Sequence, residues 1–135
     1  LIPIFSYSLK VQQVNPSKTY CIDTGLRNAV ALKFSKDNGR LAENIVFVEL
    51  KRRGKEVFYW KNKQEIDFVV KENDKLTAIN VNYTNKINDR ELSGLKEFKN
   101  KHKSKIKKLI ILSKNIEEKK EDIEIIPIWK WLISQ

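Results

Sequence analysis

The residues whose types and spacing could do chemistry lie in one stretch, Val57–Tyr83, which reads VFYWKNKQEIDFVVKENDKLTAINVNY. Asp67 falls in the middle of the apolar run Ile66–Val70, and Asn80 and Asn82 alternate with Ile79, Val81 and Tyr83 in the next run. On a strand only residues two apart share a face. Alternation therefore predicts Glu65, Asp67 and Val69 on one face of their strand, with Ile66, Phe68 and Val70 opposite. It likewise groups Ala78, Asn80 and Asn82 on one face of the next strand. An acid set beside two amides is a polar cluster where a core is expected. Such a cluster has two uses. Its oxygens can hold a hard divalent cation, or acid and amides can satisfy one another so that no buried polar group is left unpaired.

The elements that must position these side chains follow from the hydrophobic pattern. The runs Val57–Trp60, Ile66–Val70 and Leu76–Tyr83, joined by the polar links Lys61–Glu65 and Lys71–Lys75, predict a three-stranded antiparallel meander. A helix is predicted from about Arg40 to Arg53, with Gly54 as its stop. Leu41, Asn44, Ile45, Val48 and Arg52 form its stripe, and Phe47 and Leu50 widen it. Glu43 sits on this helix among apolar neighbours. After the meander, Asn88 or Asp89 caps a second helix running to about Lys101, with Leu92, Leu95 and Phe98 on its buried side. Lys107–Ser113 reads as a strand buried on both faces, Asn115–Asp122 as a charged loop or short helix, and Ile123–Ile128 as a last strand that Pro127 marks as an edge or an end. Trp129–Ile133 closes as a helical turn. Upstream, Leu1–Val14 alternates without a helical stripe and reads as a strand or linker, and Asn15-Pro16-Ser17 as a turn. Lys18–Ile22 is then a short strand, and Asp23 or Thr24 caps a helix over Leu26–Leu32.

At 135 residues the chain is one domain's worth. A hydrophobic content of 41% with 33% charged residues fits a folded soluble domain. The apolar runs are too short to span a membrane, and Leu1–Leu9 lacks the basic leader and cleavage site of a secretory signal. A chain that opens on Leu1 and contains no Met reads as the end of something longer. Residues 1–17 are then a linker or strand arriving from an upstream domain, and residues 18–135 the domain itself. The lone Cys21 cannot form an internal disulfide, which fits a reducing cytoplasm, and its apolar setting makes it structural. Lys and Arg number 27 against 17 Asp and Glu, a net +10. That balance attracts polyanions, nucleic acid first, although a lysine-rich solvated surface gives the same number. The densest basic runs are Lys99–Lys108, with Lys101, Lys103 and Lys105, and Lys51-Arg52-Arg53. If both flank one cleft they can track a phosphate backbone; otherwise they are solvated helix ends favoured by the macrodipole. His102 has no second His or Cys nearby and is discounted as a metal ligand. Tyr59, Trp60, Trp129 and Trp131 read first as core and edge packing. No glycine-rich phosphate loop occurs, so any ATP site would belong to an upstream part.

The segments Tyr20–Leu26 (YCIDTGL), Gly39–Asn44 (GRLAEN), Glu49–Gly54 (ELKRRG), Val57–Lys61 (VFYWK), Glu65–Val70 (EIDFVV) and Ala78–Tyr83 (AINVNY), taken in that order, resemble the PD-(D/E)XK nuclease superfamily. They are closer still to the accessory domain of unknown function at the C-terminus of archaeal-type AAA+ ATPases. The resemblance covers most of Lys18–Ser113. It implies an α/β (α+β) fold with a restriction-endonuclease-like core: helix, three-stranded meander, helix, strand, in a mixed central sheet flanked by helices. In the nucleases a helix Glu, a second-strand Asp and a third-strand Glu hold magnesium, and a Lys two residues further on faces the same site. Matched residue by residue, Glu43 takes the helix acid, Asp67 the strand acid, Asn80 the third acid and Asn82 the lysine. Two carboxylates, Glu43 and Asp67, then remain to hold a metal weakly. Asn80 offers only a neutral carbonyl, and Asn82 supplies no cation for the transition state. Glu65 has the parity of Asp67 but reads as solvated near the strand start. The resemblance thus implies a catalytically silent accessory domain of an ATPase, binding DNA, RNA or a partner protein, with no cofactor of its own. The alternative is an active magnesium-dependent endonuclease. An upstream ATPase module is implied in the same chain, no membrane is involved, and oligomeric state is left open.

Overall fold

The computed structural model describes residues 1–20 and 38–134. The expected Leu26–Leu32 helix, its caps Asp23 and Thr24, and Cys21 lie outside the described residues. The elements run α1 (Leu9–Val14), α2 (Asn38–Arg52), β1 (Glu56–Lys61), β2 (Glu65–Glu72), β3 (Lys75–Asn82), α3 (Asp89–His102), β4 (Ile106–Ser113), β5 (Glu118–Lys120), β6 (Ile123–Pro127) and α4 (Ile128–Ile133). The strands form one mixed sheet in the order β1-β2-β3-β4-β6-β5. β1, β2 and β3 are the antiparallel meander. β4 is parallel to β3 and β6 parallel to β4, while β5 returns antiparallel to β6. The fold is α+β, a six-stranded mixed sheet with helices on both faces.

One amphipathic helix packs on each face, joined on the α2 side by Ile128 and Trp131 of α4. On one, Ala42, Val46, Phe47 and Leu50 of α2 meet Phe68, Val70, Ile79, Ile110 and Leu112. On the other, Leu95 and Phe98 of α3 meet Ile66, Val69, Ala78, Leu109 and Ile111. β4 contributes to both cores, Leu109 and Ile111 one way and Ile110 and Leu112 the other, as a continuous apolar run should. The buried line of α2 is Ala42, Val46 and Leu50 at four-residue spacing, joined by Asn44 and Phe47. The expected stripe of Leu41, Ile45 and Val48 is only half-buried, one position round the helix. Gly54, at φ 71°, ends α2 with its N–H donating to Lys51 O and that of Lys55 to Leu50 O. Asn73 and Asp74, both at positive φ, make the two-residue turn between Glu72 and Lys75 that hairpins of this twist prefer.

Three expectations are corrected. Leu1–Val14 is not wholly extended: Ser8 accepts from Val11 N–H and opens the six-residue α1. Ahead of it, Ile2 and Phe5 are buried, and Phe5 and Tyr59 donate their N–H groups to Tyr59 O and Pro3 O, so this segment lines the open edge of β1. Residues 115–122 are neither plain loop nor helix, because Glu118–Lys120 pair with Ile123–Ile125 across a turn that places Glu121 at positive φ. The third correction bears on the site. Along β1 and β2 the register passes from Phe58↔Val69 to Trp60↔Ile66, so β2 carries one extra residue, a bulge that sets both Asp67 and Phe68 against Tyr59. Simple alternation therefore fails. Ile66 and Val69 face α3, whereas Phe68 and Val70 face α2.

Candidate functional site

Asp67 lies where the bulge opens the β2–β3 ladder. Paired residues run from Glu72↔Lys75 up to Phe68↔Ile79 and stop. Beyond that point side chains take over from main chain. Asp67 N–H donates to Asn80 Oδ1 at 2.9 Å, and Val81 N–H donates to Asp67 Oδ2 at 2.8 Å. Each strand thus keeps its hydrogen bonds while the acid and the amide are locked into the gap.

The gap lies at the carboxyl ends of β3, β4 and β6, close to the start of α3 and the first half of α2. Lys18 reaches into it. Its Nζ is in contact with Glu65 Oε1 and lies 3.7 Å from Glu43 Oε1 and 3.8 Å from Asp67 Oδ1. Lys18 arrives there because Ile2 and Lys18 exchange main-chain hydrogen bonds at 2.7 and 2.8 Å. The Tyr59 ring, 5.3 Å from the ammonium and tied by its hydroxyl to Pro16 O, backs the same position. Tyr20, stacked on Phe47 at 4.7 Å, donates its hydroxyl to Glu43 Oε1. Glu91, in the first turn of α3, is the second acid after Glu43 whose charge acts on Asp67.

The electrostatics follow from burial and from the crowding of like charges. Burial and the charge on Glu43 push the Asp67 carboxyl well above the usual carboxylate range, against the pull of Val81 N–H and Lys18. Burial raises Glu91 as well, only partly offset by Arg90. Burial alone would lower Lys18, but the bond to Glu65 and the charges of Asp67 and Glu43 outweigh it and hold the ammonium above the ordinary lysine value. Burial and Glu43 raise the Tyr20 phenol, which stays protonated as a donor.

Of the four expected site residues, three meet. Glu43 and Asp67 share Lys18, and Asn80 holds Asp67 through the backbone. Asn80 is fully buried on the α3 face, its Nδ2 donating to Glu91 O at 3.4 Å. Asn82 does not join them. Its Nδ2 donates to Lys86 O and its Oδ1 accepts from Thr84, which closes the loop into α3. Glu65, expected in solvent, is half-buried on Lys18. Lys18 and Glu91 gave no signal in the sequence, since their partners come from other elements and nothing local marks them.

These residues make a poor donor set for magnesium. One oxygen of Asp67 and the carbonyl of Asn80 are bonded to main-chain N–H groups, and the other Asp67 oxygen faces an ammonium. Among the described residues no group of three or more His, Cys, Asp or Glu side chains is arranged to hold a metal ion. What the arrangement does provide is a half-buried lysine shared by three carboxylates.

The basic runs lie elsewhere. Lys75 Nζ donates to Ser104 O, and Glu72 pairs with both Lys55 and Lys107, which puts Lys103 and Lys105 at the opposite end of the sheet. From Asp67 to Glu72 is five strand residues, about 17 Å. Lys51 is exposed at the end of α2. Arg52 and Arg53 both grip Glu49, and Arg52 first among them holds that carboxyl down at about 2. Arg53 also donates to Trp131 O and Ser134 O and lies 4.5 Å over the Trp131 ring, so it clamps α4 onto α2. Lys101 lines a groove beside α3 with Lys63. His102 packs on Phe98, Phe5 and Trp60 and bonds Phe98 O. Tyr59, Trp60 and Trp131 are core, and Trp129 is exposed.

No helix among the described residues is long and apolar enough to cross a membrane. An uncharacterized protein of Methanocaldococcus jannaschii is 36% identical over 96% of this chain, and an uncharacterized protein of Haemophilus influenzae 33% identical over 87%. The chain spans about a third of each relative, 32% and 29% of their lengths. No solved structure gives a significant match. Residues 38–131, from α2 into α4, match the model of the DUF4143 domain of unknown function, and the chain belongs to that family.

Proposed function

We propose that this chain is a nuclease-type accessory domain of a longer ATPase, that it does not cleave, and that it binds nucleic acid. Two facts support the ancestry: the order helix, meander, helix, strand, and the meeting of Glu43 and Asp67 at the opened end of β2 and β3. Membership in a family whose relatives are about three times as long supports a role inside a larger chain. The observation that carries the loss of cleavage is Lys18. Its ammonium stands among Glu43, Glu65 and Asp67 at the focus of the acids, where a nuclease would place a hard dication. Asn82, at the position of the nuclease lysine, is turned into the Thr84–Lys86 loop, so no cation faces a scissile phosphate from that strand.

The test is incubation of the full-length protein with plasmid and magnesium or manganese. The plasmid is expected to stay intact. In Lys18→Gln, which removes the cation among the acids, calorimetry is expected to show tighter manganese binding, still without cleavage. Metal-dependent nicking by the wild type that disappears in Asp67→Ala would instead establish an active endonuclease.

A further inference from the structure

A groove leads away from the acidic site along α3, and the sequence did not announce it. Its upper part, about 310 Å³, is lined by Lys61, Lys63 and Arg90 above a floor of Glu65, Asp67 and Glu91. Its lower part, about 720 Å³, runs on between the β1–β2 hairpin and α3, past Asn62, Lys63, Ser93, Asn100 and Lys101. The two depressions share Lys63. Gly94 lets the walls come so close, since a Cβ there would sit 3.3 Å from Gln64 Cβ and 3.4 Å from Glu65 O.

The charges along it are unevenly committed. Glu65 is bonded to Lys18, and Glu91 lies 3.7 Å from Arg90. Glu97 accepts from Lys63 N–H at 3.2 Å, and Lys96 pairs with Glu121. Among the described residues Lys61, Lys63 and Lys101 have no carboxylate within 4.0 Å. They are exposed, and the lower wall between them adds the amides of Asn62 and Asn100, the hydroxyl of Ser93, and the oppositely charged Lys96 and Glu97. Among the described residues no aromatic side chain lines either part.

We infer that this groove is a track for the phosphodiester backbone of duplex nucleic acid, held by Lys61, Lys63, Arg90 and Lys101 without reading sequence. This rests on the nucleic-acid half of the proposed function and not on nuclease ancestry. From Arg90 to Lys101 the helix rises about 16 Å, the axial span of about five phosphates of one strand. Ammonium, amide and hydroxyl donors suit phosphate oxygens and carry no base information. Without an aromatic platform, single strands gain nothing by unstacking their bases here. Lys18 is part of the design: by neutralising acids at the upper floor it keeps that end from repelling the backbone.

The experiment measures binding of the full-length protein to a random-sequence duplex, the matching single strand and an RNA hairpin across a salt series. The groove variant is Lys61→Glu/Lys63→Glu/Lys101→Glu, with a Gln version should the Glu version melt early, and Lys103→Glu/Lys105→Glu serves as a far-end control. The groove variant is expected to bind duplex at least about tenfold more weakly and to flatten the salt slope by about two to three, near 0.9 per lost contact. The control should bind like wild type. Unchanged binding in the groove variant with a loss in the control overturns the groove and keeps nucleic-acid binding. Absence of wild-type binding to any of the three probes at low salt overturns both, and leaves docking to a partner protein as the domain's role.

Discussion

The two ends of the β2–β3 pair are built by different rules. At the turn end, every residue from Phe68 to Glu72 has a main-chain partner on β3, and the side chains sort into two apolar cores. At the opposite end the ladder stops, a bulge breaks alternation, and Asp67 and Asn80 replace the missing main-chain partners. The turn end is organised by burial, which is indifferent to which apolar residue supplies it within limits of volume. The open end is organised by satisfaction of specific donors and acceptors, which tolerates little change. A sheet can keep chemistry at such an end because bulges and opened ladders aim side chains that a regular sheet would hide.

The largest effect that sharpens this contrast comes from Phe68, the residue at the junction. It is fully buried against α2 and Tyr20, the ring centroids of the two lying 5.3 Å apart. Phe68→Ala is expected to destabilise the domain by about 3–5 kcal/mol, mostly as lost burial plus a cavity, measured by denaturant unfolding. Asn80 is the counterpart on the open end. Asn80→Ala removes no hydrophobic contact of note but strands Asp67 N–H and frees Glu91 O. An unsatisfied buried donor costs about 1–3 kcal/mol, so a smaller loss is expected, accompanied by faster amide exchange at Asp67 and Val81. If Asn80→Ala cost as much as Phe68→Ala, the open end would be a packing element and the contrast would fail.

The turn end was legible in the sequence, and the reason is physical. Periodicity reports burial, so the meander, α2, α3, β4 and even the short α4 emerged within a few residues of their observed bounds. Gly54 marked its stop because only a left-handed residue was wanted there. The open end was legible only in part. Asp67, Glu43 and Asn80 could be matched to a pattern, but a bulge has no local signature. The single extra residue at Asp67–Phe68 put Ile66 on the face opposite Phe68, where alternation had placed the two together, while Val69 stayed opposite Phe68 as expected. Lys18 was invisible because its meaning depends on three carboxylates contributed by α2 and β2. The groove cations were hidden by the opposite effect. Lys61, Lys63 and Arg90 are scattered singly, whereas the dense runs that drew attention include residues held inward, such as Arg53.

The smallest expected effect separates stability from function at the open end most directly, because it runs against the usual direction of mutation. Asp67 carries a carboxyl whose folded-state pKa is raised, burial being the first cause and Glu43 the second. In the unfolded chain it returns to an ordinary value near 4. Between those two values the folded state binds the proton that the unfolded state has released, so stability must fall as pH rises through that window and level off above the folded value. Ionising Asp67 therefore costs the fold stability as pH rises, even though its oxygen accepts from Val81 N–H. Asp67→Asn can keep that bond with its own carbonyl oxygen while deleting the charge. It is expected to leave stability near pH 4 almost unchanged, to raise the melting temperature at neutral pH, and to flatten the fall between them. A melting temperature lowered at both pH values would mean that the ionised carboxylate, held by Lys18, stabilises the fold. The open end would then be a salt-bridged structural joint and not a site maintained against stability.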